Sequence, residues 1–360
     1  MSNTNTSFVL QKINEISFED RAIPVAGPGE VVVNIKATGI CGSDVHYWTH
    51  GSIGHFICKG PMVLGHESAG LVASVGEGVT HLKVGDPVAL EPGVPCRNCE
   101  MCKTGRYNLC PDMKFAATPP YDGTLCNYYK HAADFCYKLP QGISLEEGAL
   151  IEPLSVGIHA ARRGNVKLGD RVFIFGAGAI GLLTAAAAKA AGASHVTIAD
   201  IAESKLNFAK TYSADKTILL TKKRAEGQQS NDFARQMAEE ILAEEGVEAA
   251  NVVFDCTGAE VCVQMSVFLV KNSGSIVLVG MGASVQSISV ADVSAREVDV
   301  KGVMRYCNTY PTAIEMLSSG KVDLKSLITH RYEFKDALKA FQHVKEAREG
   351  TIKVVITNDQ

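Results

Sequence analysis

The sequence predicts an α/β protein in two parts, a β-rich part and a doubly wound parallel sheet, and three observations carry that prediction. Five short apolar runs, RVFIF (171–175), HVTIAD (195–200), KTILL (216–220), NVVFDC (251–256) and SIVLVG (275–280), alternate with helix-like stretches such as LLTAAAAKAAG (182–192) and DFARQMAEEILAEEG (232–246). Strands that alternate with helices build βαβ units around a parallel sheet. Residues before about 157 are instead rich in Gly and Pro, and their alternating runs VVVNIKATGI (31–40) and SAGLVASVGEGV (68–79) read as short strands and turns. Past about 290 the texture turns irregular again and closes on IKVVIT (352–357), so the last segment is expected to rejoin the first part. The expected division is 1–156 with 290–360, and 157–289.

Composition sets the limits. The 360 residues are 46% hydrophobic and 21% charged with a net charge of −4, which suits two globular domains and gives neither nucleic acid nor an acidic membrane a reason to bind. No apolar run reaches the length of a signal peptide or a membrane span, so no membrane partner and a reducing, cytoplasmic setting are expected. Six of the eleven cysteines, Cys58, Cys126, Cys136, Cys256, Cys262 and Cys307, are scattered and read as small buried hydrophobes.

The other cysteines are more informative. Cys96, Cys99, Cys102 and Cys110 lie inside PCRNCEMCKTGRYNLC at spacings of three, three and eight. Interlocking C-x-x-C steps place soft thiolates where a tetrahedral zinc uses all four, and without secretory features a pair of disulfides is the weaker alternative. A zinc so enclosed has no open position; it folds a loop and does no chemistry.

In RVFIFGAGAIGLL, Gly176, Gly178 and Gly181 have G-x-G-x-x-G spacing between a strand and a helix. Such glycines allow a tight turn, approach of a pyrophosphate to the backbone and close helix packing, with the phosphates at the helix N-terminus. Asp200 follows Gly181 by 19 residues at the end of HVTIAD. A carboxylate there accepts from ribose hydroxyls and repels a 2′-phosphate, which selects NAD over NADP. Lys205 either lies near the adenosine ribose or is a solvated helix lysine.

Chemistry needs an open metal site. CGSDVH (41–46) offers Cys41, GHE (65–67) offers His66 and Glu67, and LIEPLSVGIH (150–159) offers Glu152. One thiolate, one imidazole and one or two carboxylates suit a catalytic zinc that keeps a position for water or substrate.

With GICGSDVHYW, PMVLGHESAG, the cysteine cluster, FAATPPYDGTLCNYYKH, ALIEPLSVGIHAARRG, GAGAIG, DCTGAE and RYCNTYP in view, the chain resembles the zinc-dependent medium-chain dehydrogenases, specifically the sorbitol/xylitol (polyol) dehydrogenases. The resemblance implies a GroES-like catalytic domain beside a Rossmann domain, and two zinc ions per subunit, one catalytic and one structural. It implies that Cys41, His66 and Glu67 hold the catalytic zinc, with Glu152 either a further ligand or the group holding a zinc-bound water. Ser43 and His46 would relay the proton, or that water would carry it. Tyr47, Glu152, Arg305 and Tyr306 would contact substrate, and Phe115 would cover it. Ile180, Val279, Gly280, Met281, Val303 and Arg305 would join the glycines, Asp200 and Lys205 around NAD. Met304 stands where the family suggests phenylalanine, which leaves the shape of that wall open. The implied reaction is oxidation of xylitol or sorbitol at C2 to D-xylulose or D-fructose, by a homotetramer. The alternative is an L-arabinitol 4-dehydrogenase or another zinc-dependent secondary-alcohol dehydrogenase.

Overall fold

The computed structural model describes residues 4–358, and its backbone divides into two compact units. The first runs to Glu152 and resumes at Cys307; the second is Pro153–Tyr306.

The first unit is built on a seven-stranded sheet. Its central strand Glu30–Gly39 pairs antiparallel with Glu67–Val75, Tyr128–Ala132 and Lys353–Thr357. The two-residue period of the strand puts Val31, Val33 and Ile35 on one face, where they pack with Val72, Val88 and Leu90. A second apolar cluster joins Phe8, Leu10, Trp48, Leu64 and Phe341. The helix Gly42–His50 follows the central strand, with Cys41 as its N-cap, and stops at Gly51, whose φ of 75° suits a residue lacking Cβ. Register then sets the chemistry: Gly39 pairs with Glu67 on one side and with Val355 on the other. Glu67 and Lys353 are thereby brought to the same end of the sheet.

The second unit holds six parallel strands in the order Lys216–Leu219, His195–Asp200, Arg171–Phe175, Ala250–Asp255, Val270–Leu278, Asp299–Gly302. The chain order reverses between Arg171–Phe175 and Ala250–Asp255, and in such sheets ligands bind outside the carboxyl ends of the strands at that point. Phe173, Phe175, Val253, Met265 and Ile276 are among the residues of its core.

One expectation differs. The sequence reading moves to the first part near 290, yet Asp299–Gly302 pairs in parallel with Val270–Leu278, and the chain stays with the second unit through Tyr306. The strand DVKG is short and has no buried residue, so it carries no apolar run to read.

Candidate functional site

The first unit brings together Cys41, His66 and Glu67, whose ligand atoms all lie within 4.8 Å of one another. Each comes from an element end: the N-cap of Gly42–His50, the turn before Glu67–Val75, and the first residue of that strand. Asp44 organises the turn, accepting from the backbone N–H of Cys41 at 3.2 Å and of Gly65 at 2.9 Å. It also lies 3.5 Å from Nδ1 of His66. A carboxylate on Nδ1 fixes the ring and leaves Nε2 for a metal. Burial disfavours a charged His66, but Asp44 and Cys41 outweigh it and hold the imidazole well above its usual range. Asp44 is held low despite its burial, chiefly by His66.

Glu67 is 1% exposed and is met by a buried cation. Nζ of Lys353 donates to Oε1 at 2.6 Å and to the carbonyl of Ile40 at 3.0 Å. Burial alone would lower the Lys353 pKa, but the charges of Glu67, Cys41 and Glu152 raise it. Oε2 of Glu67 accepts no hydrogen bond, although the same ammonium lies against it. A Cβ at Gly39 would fall 2.1 Å from that oxygen, so only glycine leaves it room. An orphaned carboxylate oxygen beside a thiolate and an imidazole fits a zinc ion.

Other expected site residues are placed less uniformly. Glu152 is 5% exposed in the first turn of the helix Ile151–Gly164; it stands outside the mutually close set, but its charge reaches Lys353. Ser43 is half-buried, while His46 is exposed and stacked on His50 at 4.4 Å. Phe115 is buried with its ring 5.8 Å from that of His66. Tyr47 is buried in the apolar cluster of Phe8 and Phe341.

The four cysteines also converge, with their sulfurs within 4.8 Å and none in a disulfide. Backbone N–H groups of Asn98 and Cys99 donate to Sγ of Cys96 at 3.4 and 3.3 Å, and these bonds lower its pKa to about 7. Burial instead pushes the Cys102 thiol up to about 12. Four sulfurs at this separation, one already favoured as thiolate, fit a closed zinc site.

The second unit supplies a dinucleotide cradle. Gly176 has φ 98°, and a Cβ at Gly181 would strike the Gly176 carbonyl at 1.8 Å. A Cβ at Gly178 would meet nothing within 4 Å, and the helix Ala179–Ala190 begins there without a side-chain cap. An uncapped helix N-terminus over open space fits a pyrophosphate. Asp200 accepts from the N–H of Ala177 at 2.7 Å and of Ala202 at 2.8 Å, which orients its carboxylate. Beside it a cavity of about 340 Å³ is lined by Ile201, Lys205, Phe233, Met237 and Met265, among others. Ile180 lies in the helix's first turn. Val279 and Gly280 donate to the Asp255 carbonyl at 2.9 and 2.8 Å, and Val303 donates to Leu278 at 3.0 Å. Met281 is exposed, Arg305 half-buried with φ 50°, and Tyr306 buried.

The sequence reading missed three supports. Asp44 and Lys353 carry no motif of their own, and Lys353 sits 286 residues from the carboxylate it pairs with. The third is the turn after Asp255, whose carboxylate takes the hydroxyl of Thr257 at 2.6 Å and the N–H of Gly258 at 3.0 Å. Gly258, at φ 74°, and Gly280 pass so closely that a Cβ on Gly280 would lie 2.3 Å from the Gly258 nitrogen.

Comparison with known proteins places the chain among dehydrogenases. The alcohol dehydrogenase GroES-like domain matches residues 27–141, and the zinc-binding dehydrogenase domain matches 179–319. Sorbitol dehydrogenase of Gallus gallus is 47% identical over 355 residues, spanning 99% of this chain and 97% of the relative. The chain belongs to the zinc-dependent alcohol dehydrogenase family. A chain of Aspergillus clavatus named probable D-xylulose reductase A is 50% identical, covering 96% of this chain and 94% of that one. Among solved structures, an Escherichia coli oxidoreductase/dehydrogenase of unknown specificity superposes with a TM-score of 0.89 at 37% identity, covering 99% of this chain and all of that one. L-idonate 5-dehydrogenase of Escherichia coli follows at a TM-score of 0.87 and 28% identity, with 98% of each chain covered. Membership makes this protein an oxidoreductase of CH–OH groups that uses zinc and a nicotinamide dinucleotide.

Proposed function

We propose that the protein is an NAD-dependent polyol dehydrogenase that oxidises xylitol and sorbitol at C2 to the 2-ketose. The observation that carries this reading is buried Glu67 standing with buried His66 and half-buried Cys41 as a ligand set, in a chain 47–50% identical to a sorbitol dehydrogenase and a D-xylulose reductase. Those names join a polyol to a 2-ketose, and one site serves both when the reacting carbon is C2.

Cys41, His66 and Glu67 would hold a catalytic zinc and the glycine turn with Asp200 would hold NAD; when bound, these would supply Lewis acidity toward the substrate hydroxyl and a hydride acceptor. The protein's own groups do the rest. Asp44 keeps His66 in the ligating tautomer, and Lys353 lies against both oxygens of Glu67 and holds that carboxylate in place. Glu152, outside the ligand set, is left to accept a hydrogen bond from substrate or water. Ser43 and His46 open the helix after Cys41 and pass the released proton outward, which the exposure of His46 permits. Arg305 and Tyr306 supply polar contacts to the remaining hydroxyls, with Phe115 as the apolar cover. Asp200 accepts from the adenosine ribose and excludes a 2′-phosphate. Cys96, Cys99, Cys102 and Cys110 hold a second, structural zinc.

The test is kcat/KM for xylitol, sorbitol, L-arabinitol and ribitol with each cofactor. Xylitol and sorbitol should lead, with NAD favoured by roughly a hundredfold or more. Preference for NADP would overturn the role of Asp200, and preference for L-arabinitol would overturn the substrate assignment.

A further inference from the structure

Away from the ligand set, the first unit contains a buried carboxylate that the reaction does not use. Glu91 is 1% exposed and takes hydrogen bonds from two phenols, Tyr107 at 2.6 Å and Tyr137 at 2.9 Å. Burial, together with the Glu91 charge, keeps both phenols protonated. Tyr137 is part of the sheet, in the strand Cys136–Lys138, and stacks on Tyr310 at 5.0 Å. Tyr107 belongs to the four-cysteine lobe, three residues before Cys110. Glu91 thus ties the lobe to the sheet through one bond from each.

The Tyr107 hydroxyl has a second role. Having donated to Glu91, it accepts the backbone N–H of Asn308 at 2.8 Å, and the Asn308 side chain donates to the carbonyl of Gly105 at 2.7 Å. Both lobe bonds land on a residue with φ 53°, two positions after Tyr306 and three after Arg305, which itself has φ 50°. The left-handed region is costly for Arg305, which persists there only where neighbours impose it, whereas Asn308 tolerates it at smaller cost. The bonds from Tyr107 and Gly105 hold Asn308 there, where the chain returns to the first unit.

We propose that Tyr107 is a positioning residue through which the four-cysteine lobe holds Asn308 and thereby sets the conformation of Arg305 and Tyr306 for substrate. The inference rests on the proposed role of those two residues as polyol contacts. The lobe then does more than stabilise the fold, because its second bond fixes one end of a substrate-binding segment. Asn308 is exposed, so water replaces the lost acceptor at little cost to stability when the hydroxyl is removed, whereas geometry is lost.

Tyr107→Phe and Tyr137→Phe separate the two roles, since each takes one donor from Glu91 but only the first touches Asn308. Tyr107→Phe should raise KM for xylitol roughly tenfold, with kcat within about threefold and NAD affinity unchanged, while Tyr137→Phe leaves KM within about twofold. Should Tyr107→Phe not fold, Asn308→Ala removes the Gly105 bond from the other side and should raise KM in the same way. In an Arg305→Ala background the Tyr107→Phe increment should shrink to the part that Tyr306 carries. Equal KM values for the two phenylalanine variants, or an increment that keeps its full size without Arg305, overturn the proposal. If Arg305→Ala alone leaves KM unchanged, the polyol contact itself is wrong, and the positioning role falls with it.

Discussion

Among the described residues, two clusters of side chains that could hold a metal lie in the first unit, and they are built in opposite ways. Cys96, Cys99, Cys102 and Cys110 come from a single segment and are supported by nearby backbone N–H groups, as Asn98 and Cys99 support Cys96. Cys41, His66 and Glu67 come from separate strand and helix ends, and their supports are buried charges, Asp44 and Lys353. The difference teaches what each site needs. A closed site needs only ligands, which a loop can bring. A site that must leave a position open needs each ligand held by something else, and in a buried setting those holders are charged.

Exchanging the damage between the clusters tests the contrast where the effect is largest. His66→Ala should lower kcat/KM by roughly a thousandfold or more and cost one zinc equivalent, and because it strands the buried Asp44 it lowers the thermal midpoint as well. Cys99→Ser should also cost one equivalent and lower the midpoint by roughly 5–15 °C, but leave kcat of the folded enzyme within about fivefold. Elemental analysis, melting curves and kinetics on both proteins check this. If the two variants gave the same pattern, the clusters would not differ in kind.

The same contrast governs what could be read in advance. The four-cysteine site was legible because its spacing is local, and the glycine turn with Asp200 because the motif lies within one βαβ unit. Cys41, His66 and Glu67 are individually ordinary; their joint presence beside a dinucleotide motif made them candidate ligands, and the resemblance then implied the set. Lys353 was not legible, since a lysine inside IKVVIT looks like a solvated strand residue and only the register of Lys353–Thr357 against Glu30–Gly39 sends it inward. Asp44 looked like one more acid in a helix's first turn. The Glu91, Tyr107 and Tyr137 cluster depends on three segments that no periodicity links.

Lys353→Met sharpens the comparison at intermediate scale. Removing one member of a buried ion pair costs about 3–5 kcal/mol, because the other charge remains in the interior. Here the stranded charge is Glu67, which a bound metal neutralises. The variant should therefore lose more stability with chelator than with zinc, read as the shift in urea midpoint relative to wild type under each condition. A loss of equal size in both would make Lys353 a packing residue rather than the partner of the ligand.

The smallest effect concerns the carboxylate beside the lobe. Burial raises the Glu91 pKa from 4.5 to about 7, against the lowering effect of Tyr107 and Tyr137, with Asp134 adding to the rise. Below the unfolded value Glu91 is protonated in both states and carries no penalty. As pH climbs from 4.5 to about 7, the unfolded carboxyl ionises while the folded one holds its proton, so stability falls through that window and levels off above it. Glu91→Gln removes the titration while keeping an acceptor for a phenol. Urea unfolding of wild type and variant should show the variant gaining on the order of 2–4 kcal/mol relative to wild type between pH 4.5 and 7.5. A difference that stays flat across that range would mean that the carboxyl ionises normally beside its two phenols. Its link between lobe and sheet would then be an ordinary charged hydrogen bond.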